Sequence, residues 1–195
     1  MMFHNIFEAQ FELSDFAPIA LSISHSDLIG FDVTTFEGLD FYVRDFLQKN
    51  KVRVAYGGYG EKRAIYTQSH HFTNLEAVRN THLGIDLWAS AGTRIFAPLE
   101  GIVHSFRHND QPLDYGATII LEHLIEGEKM YALYGHLSLK SLENKQIGQK
   151  ILRGSPFAWL GEPHENGGLV AAFTLSVDSR FDGLGGRFSG CCFGK

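Results

Sequence analysis

Cysteine is almost missing from this chain: two occur, Cys191 and Cys192, side by side near the C-terminus. Adjacent cysteines do not reach ordinary disulfide geometry and close no useful loop, so a disulfide-stapled scaffold is excluded. Long apolar runs are lacking too. Nothing approaches the ~20 residues that a membrane-spanning helix needs. The stretch Met1-Met2-Phe3-His4-Asn5 has neither the basic nor the apolar region of a secretory signal. A reducing, cytoplasmic setting with no membrane partner is the expectation. Positive charge is not in excess either: the net charge is −5, which argues against nucleic acid as a partner. Tyr56 to Tyr66 begins glycine-rich but has no Gly-Lys-Ser/Thr ending, so it is no phosphate loop. Ten histidines are present, yet none stands in a His-x-His pair.

What remains is an ordinary globular composition, 44% apolar and 13% aromatic over 195 residues, enough for one packed domain and a small extra lobe. From Leu39 to Asn50, Leu39, Tyr42, Val43, Phe46 and Leu47 recur at helical spacing, with Arg44, Asp45 and Lys49 opposite. That pattern predicts one amphipathic helix. After Thr81 the pattern changes. Residues 94–96, 101–106, 117–121 and 129–134 are short β-branched and aromatic runs, punctuated by Gly92, Pro98, Gly101, Gly116, Gly127 and Gly135. Close-spaced strands without helices between them predict an all-β core of antiparallel sheets with a groove, carrying a small α-containing N-terminal extension. Leu83, Ile85, Leu87, Ile95, Ile102, Ile119, Leu121, Leu133 and Trp159 are the expected core.

Chemistry concentrates in two places. His82-Leu83-Gly84-Ile85-Asp86 sets a neutral nitrogen and a hard oxygen four residues apart, able to converge on one ion. The same spacing also suits a buried His–carboxylate contact. Tyr134-Gly135-His136-Leu137-Ser138 ends a strand with a histidine, a group able to work near neutrality. His70 and His71 are neighbours, which on a strand face opposite ways. His104, His108 and His164 read as edge and loop residues, and for His123 a structural or supporting role weighs equally with a catalytic one.

The run Arg79 to Trp88, then Ala91-Gly92-Thr93, Ala97 to Val103, Asp114-Tyr115-Gly116, Ile119 to His123 and Tyr134 to Ser138 together resemble the M23 (LytM/lysostaphin-like) zinc metallopeptidases. Phe106-Arg107-His108-Asn109-Asp110 and Glu165-Asn166-Gly167-Gly168 are most similar to bacterial M23 domains fused to aminotransferase and kinase-like domains. The resemblance implies Zn2+ held by His82 and Asp86, a water in the open position, and His136 as a catalytic residue that is not a ligand. Zinc would polarise a peptide carbonyl and lower the water's pKa toward neutrality. Peptide or peptidoglycan-like substrates are the implied partners.

The family pattern closes with Pro-His-Leu-His-Phe, whose last histidine is the third ligand. Here the corresponding stretch reads Leu169-Val170-Ala171-Ala172-Phe173-Thr174-Leu175. Read from the second base of the Leu169 codon, the genetic code permits W-x-P-H-L-H-F-Q at that place, the final histidine spanning the Thr174 and Leu175 codons. Residues 169–195 are therefore expected to be a frameshifted tail, following an extension over 1–78 and an M23-like domain over 79–168. Such a tail would remove the strand that pairs beside the His82 strand and leave a bare sheet edge. The functional expectation is a zinc metallopeptidase-family domain, impaired because its third zinc ligand is missing. The alternative is a non-catalytic peptide- or glycan-binding module with a degenerate groove. A biotinyl or lipoyl carrier is disfavoured, since no Met-Lys-Met follows Ala97 to Val103.

Overall fold

In a computed structural model, described for residues 3–8, 10–64, 81–110, 114–165 and 172–178 (the last as backbone only), strands dominate. In chain order they are β1 (Phe16–Pro18), β2 (Val54–Gly57), β3 (Glu61–Lys62), β4 (Thr81–His82), β5 (Ile85–Trp88) and β6 (Arg94–Phe96). Then come β7 (Gly101–Asn109), β8 (Gly116–Ile125), β9 (Glu128–Leu137), β10 (Lys150–Ile151), β11 (Pro156–Trp159) and β12 (Ala172–Asp178). One helix, α1 (Phe36–Asn50), joins β1 to β2. His70 and His71 lie outside the described residues.

Eight strands form one sheet in the order β1-β2-β5-β12-β9-β8-β7-β10. Its pairings are antiparallel except for β1 with β2, which run parallel because α1 crosses over between them. The long hairpin β8–β9 turns through Glu126 and Gly127, at φ 53° and 86°. Two consecutive left-handed residues match the twist of the flanking strands, and glycine takes the second at no steric cost.

Strand alternation divides the apolar residues between two faces. One face buries Val54, Ile119, Leu121, Tyr134 and Leu137 in the main core with Ile95, Phe157 and Leu160. Phe7 and Phe11 join that core, so residues before β1 contribute to it. On the other face Ala55 and Trp88 pack with Leu39, Tyr42 and Val43 of α1. The Thr35 hydroxyl caps α1 by accepting from the Gly38 N–H at 3.1 Å, and Lys51 ends it at φ 55°.

Two expectations need correction. Ile85 and Ile102 are 44% and 45% exposed, while their neighbours Asp86 and Val103 are buried. An apolar residue on each face of a short strand hides which face is inward. Leu87 is only half-buried, although it packs against the main core, and Leu83 and Trp159 are also half-buried. Ile95, Ile119, Leu121 and Leu133 are buried as expected.

The second correction concerns the tail. β12 is present, and it lies in the interior of the sheet between β5 and β9. No bare edge is left there. Ladder pairing uses backbone N–H and C=O groups, and Ala-Phe-Thr-Leu-Ser-Val still has the apolar and β-branched composition of a strand. Such pairing does not depend on a histidine motif.

Candidate metal centre

His82 closes β4, and Asp86 is the second residue of β5, with a bend at Gly84 between the two strands. β4 is held by β3, where Glu61 pairs with His82 and the Gly60 N–H donates to the His82 carbonyl at 2.7 Å. His82 Nε2 and Asp86 Oδ1 lie 3.3 Å apart, with both residues about 95% buried. Tetrahedral zinc with bonds of about 2.0–2.1 Å has ligand atoms separated by about 3.3 Å. The pair therefore matches one edge of such a cage.

The other carboxylate oxygen is already engaged. Arg63 Nη1 donates to Asp86 Oδ2 in a close charge-assisted bond. Arg63 is itself buried, and its Nε and Nη2 donate to Glu61 Oε2 at 3.2 and 3.1 Å. Its guanidinium carbon lies 5.7 Å from the centre of the Trp88 ring. Neither Arg63 nor Glu61 stood out in the sequence. Their i, i+2 spacing beside a glycine turn was the available signal, because alternation puts both side chains on one face.

His136 reaches the face of the sheet that carries Asp86 by breaking the strand pattern. Leu175 of β12 is paired with Ile85 on one side and Tyr134 on the other, so Ile85 and Tyr134 share a rung. Asp86 and Leu133 consequently face the opposite side of the sheet. Regular alternation would set His136 with Tyr134. Instead the β8–β9 register shifts between Ala117 and Ile119, and His136 takes φ 55°. This bulge lets Tyr134 and Leu137 both enter the main core, and it turns His136 against Tyr115. Tyr115 clusters with Leu133, on the face that carries Asp86. The Tyr115 carbonyl accepts the His136 N–H at 2.6 Å, and the two rings are 5.6 Å apart. Gly135 permits this contact, since a Cβ there would sit 2.5 Å from Tyr115 Cδ1. A left-handed non-glycine residue costs about 1–3 kcal/mol and tends to occur at functional sites.

The third corner of a catalytic cage is not supplied by the described residues, which contain no group of three or more His, Cys, Asp or Glu able to hold an ion. The ladder position paired with Asp86 is occupied by Thr174. A catalytic zinc needs three protein ligands and an open position. His82 and Asp86 fit half of that requirement, and the donor set as a whole does not fit. His123 is buried, with its Nδ1 2.8 Å from the Glu100 carbonyl.

Against this geometry, a match to peptidase family M23 spans residues 80–180, slightly more than half of the chain and through the whole of β12. The chain belongs to peptidase family M23. Among solved structures, it is similar to the catalytic domain of the antimicrobial peptidase lysostaphin from Staphylococcus simulans. That likeness has 18% identity and a TM-score of 0.48, covering 76% of this chain and 92% of that one. A zinc-containing peptidase from Vibrio cholerae has 23% identity and a TM-score of 0.41, over 52% of this chain. Csd3 of Helicobacter pylori has 21% identity and a TM-score of 0.39, over 60%. This M23 chain spans only 28% and 30% of the length of those last two. No curated protein matches it in sequence.

Proposed function

We propose that this is an M23 peptidase domain whose hydrolytic centre is incomplete in the present sequence. His82 and Asp86 are two corners of the former zinc cage, and His136 is its catalytic histidine. The carrying observation is the 3.3 Å contact of His82 Nε2 with Asp86 Oδ1, on a strand whose partner position holds Thr174. Threonine offers a weakly binding neutral hydroxyl, so a stably held zinc is not expected.

Register supports the frameshift reading. The histidine permitted across the Thr174 and Leu175 codons falls at position 174, the ladder partner of Asp86. Residues on adjacent strands that oppose each other are the closest cross-strand neighbours. A histidine at any other position in β12 would lie farther from Asp86 along the ladder. Sequencing the locus tests this: codons for Ala172 to Leu175 without CAY triplets in the shifted frame refute it.

Ancestral substrates are peptides or peptidoglycan-like chains, by likeness to the family and to lysostaphin. As given, the chain should not hydrolyse them. Peptide hydrolysis abolished by a chelator would contradict the proposal, because a complete cage would then have to exist.

A further inference from the structure

We propose that Arg63 takes the metal cation's place in this chain, binding the Asp86 carboxylate so that the centre holds together without a metal. The inference rests on the reading of His82 and Asp86 as a former metal half-site.

Asp86 is buried, and a buried carboxylate requires a cation or several donors. Arg63 bonds its Oδ2 and is itself buried. The guanidinium is anchored before it reaches Asp86. Glu61 Oε2 accepts from Nε and Nη2, and Glu61 Oε1 in turn accepts the Leu21 N–H at 3.2 Å. Trp88 flanks the same group. A planar fork with several fixed donors suits arginine and not lysine. Topology delivers it: Gly57 at the end of β2 pairs with Asp86, and the chain turns through β3 to return Arg63 to that spot. The segment before residue 79 thus supplies the guanidinium that binds a peptidase-domain carboxylate, together with Glu61, which shares it.

A dication on Oδ1 and a guanidinium on Oδ2 would share one carboxylate and repel each other. With three corners a metal has bonds enough to outweigh that repulsion. Where position 174 is threonine, two corners do not, and the arginine keeps the carboxylate.

Two measurements on the full chain test this. Urea unfolding of the original chain, R63M, D86N and R63M/D86N gives the coupling between the two positions. R63M should lower the folding constant at least tenfold more in the original background than in the D86N background. Zinc titration of T174H and T174H/R63M gives the sign of the arginine's effect on metal. Removing Arg63 should tighten zinc binding tenfold or more. Absent coupling overturns the proposal, and so does weaker zinc binding in T174H/R63M, which would make Arg63 a positioning residue of a metal site. If neither T174H variant binds zinc although both fold, the half-site reading fails and the proposal falls with it.

Discussion

His136 makes a prediction that reverses an ordinary rule. In a strand, glycine is normally less stable than alanine, because it loses more backbone freedom on folding. At φ 55° the order should invert. An L-residue in the left-handed region costs about 1–2 kcal/mol, and H136A retains that cost while H136G is free of it. The extra unfolded-state entropy of glycine takes back about 0.4–1 kcal/mol. Both variants lose the same buried imidazole and its contact with Tyr115, so those losses cancel in the comparison. H136G should therefore exceed H136A by about 0.5–1 kcal/mol, or a few °C in Tm for a domain of this size. Urea and thermal unfolding followed by circular dichroism would measure it. If H136A were as stable as H136G or more so, the bulge would not be strained at His136, and the account of how that ring is re-aimed would be wrong.

Three further outcomes are expected. G135A should cost about 1–3 kcal/mol by overpacking against Tyr115, and less in a Y115A background, as a double-mutant unfolding cycle would show. I119A should cost about 2–5 kcal/mol whereas I85A stays within about 0.5, so comparing their urea midpoints checks which strand face is inward. Tyr42 has its pKa pushed up to about 12, by burial first and then by Asp27, Glu61 and Asp45, while its hydroxyl donates to the Ala20 carbonyl. Folding favours the neutral phenol, so its contribution is complete below pH 10 and fades as pH rises from 10 toward 12. Y42F should flatten that part of a stability-versus-pH curve; an unchanged slope would contradict it.

Strands legible from the sequence were those whose runs sit between glycines: residues 94–96, 101–106, 117–121 and 129–134 all lie within β6 to β9. The helix was legible from its apolar spacing, and capping by Thr35 starts it three residues before Leu39. Ile85 and Ile102 misled because composition does not reveal which alternate residue is inward. β12 was missed for a different reason. Its composition is that of a strand, and its place between β5 and β9 rests on backbone pairing that is independent of the histidines of the family motif. At the site, the contact of His82 with Asp86 was readable because the two lie four positions apart across a bend at Gly84. Arg63 was not, since its bond to Asp86 spans 23 residues and its i, i+2 spacing from Glu61 names no partner later in the chain. The bulge at His136 was equally silent: no glycine marks that left-handed position, and only the register of two strands reveals it.

Zinc content would decide the proposal that this M23 domain retains two corners of a zinc cage and lacks the third at position 174. The original chain, T174H and T174H/D86N would be loaded with zinc, desalted and measured for metal per chain, with circular dichroism confirming that each is folded. T174H should retain about one zinc per chain, and the original chain and T174H/D86N should retain none. A stoichiometric zinc in the original chain, or none in a folded T174H, would contradict the account.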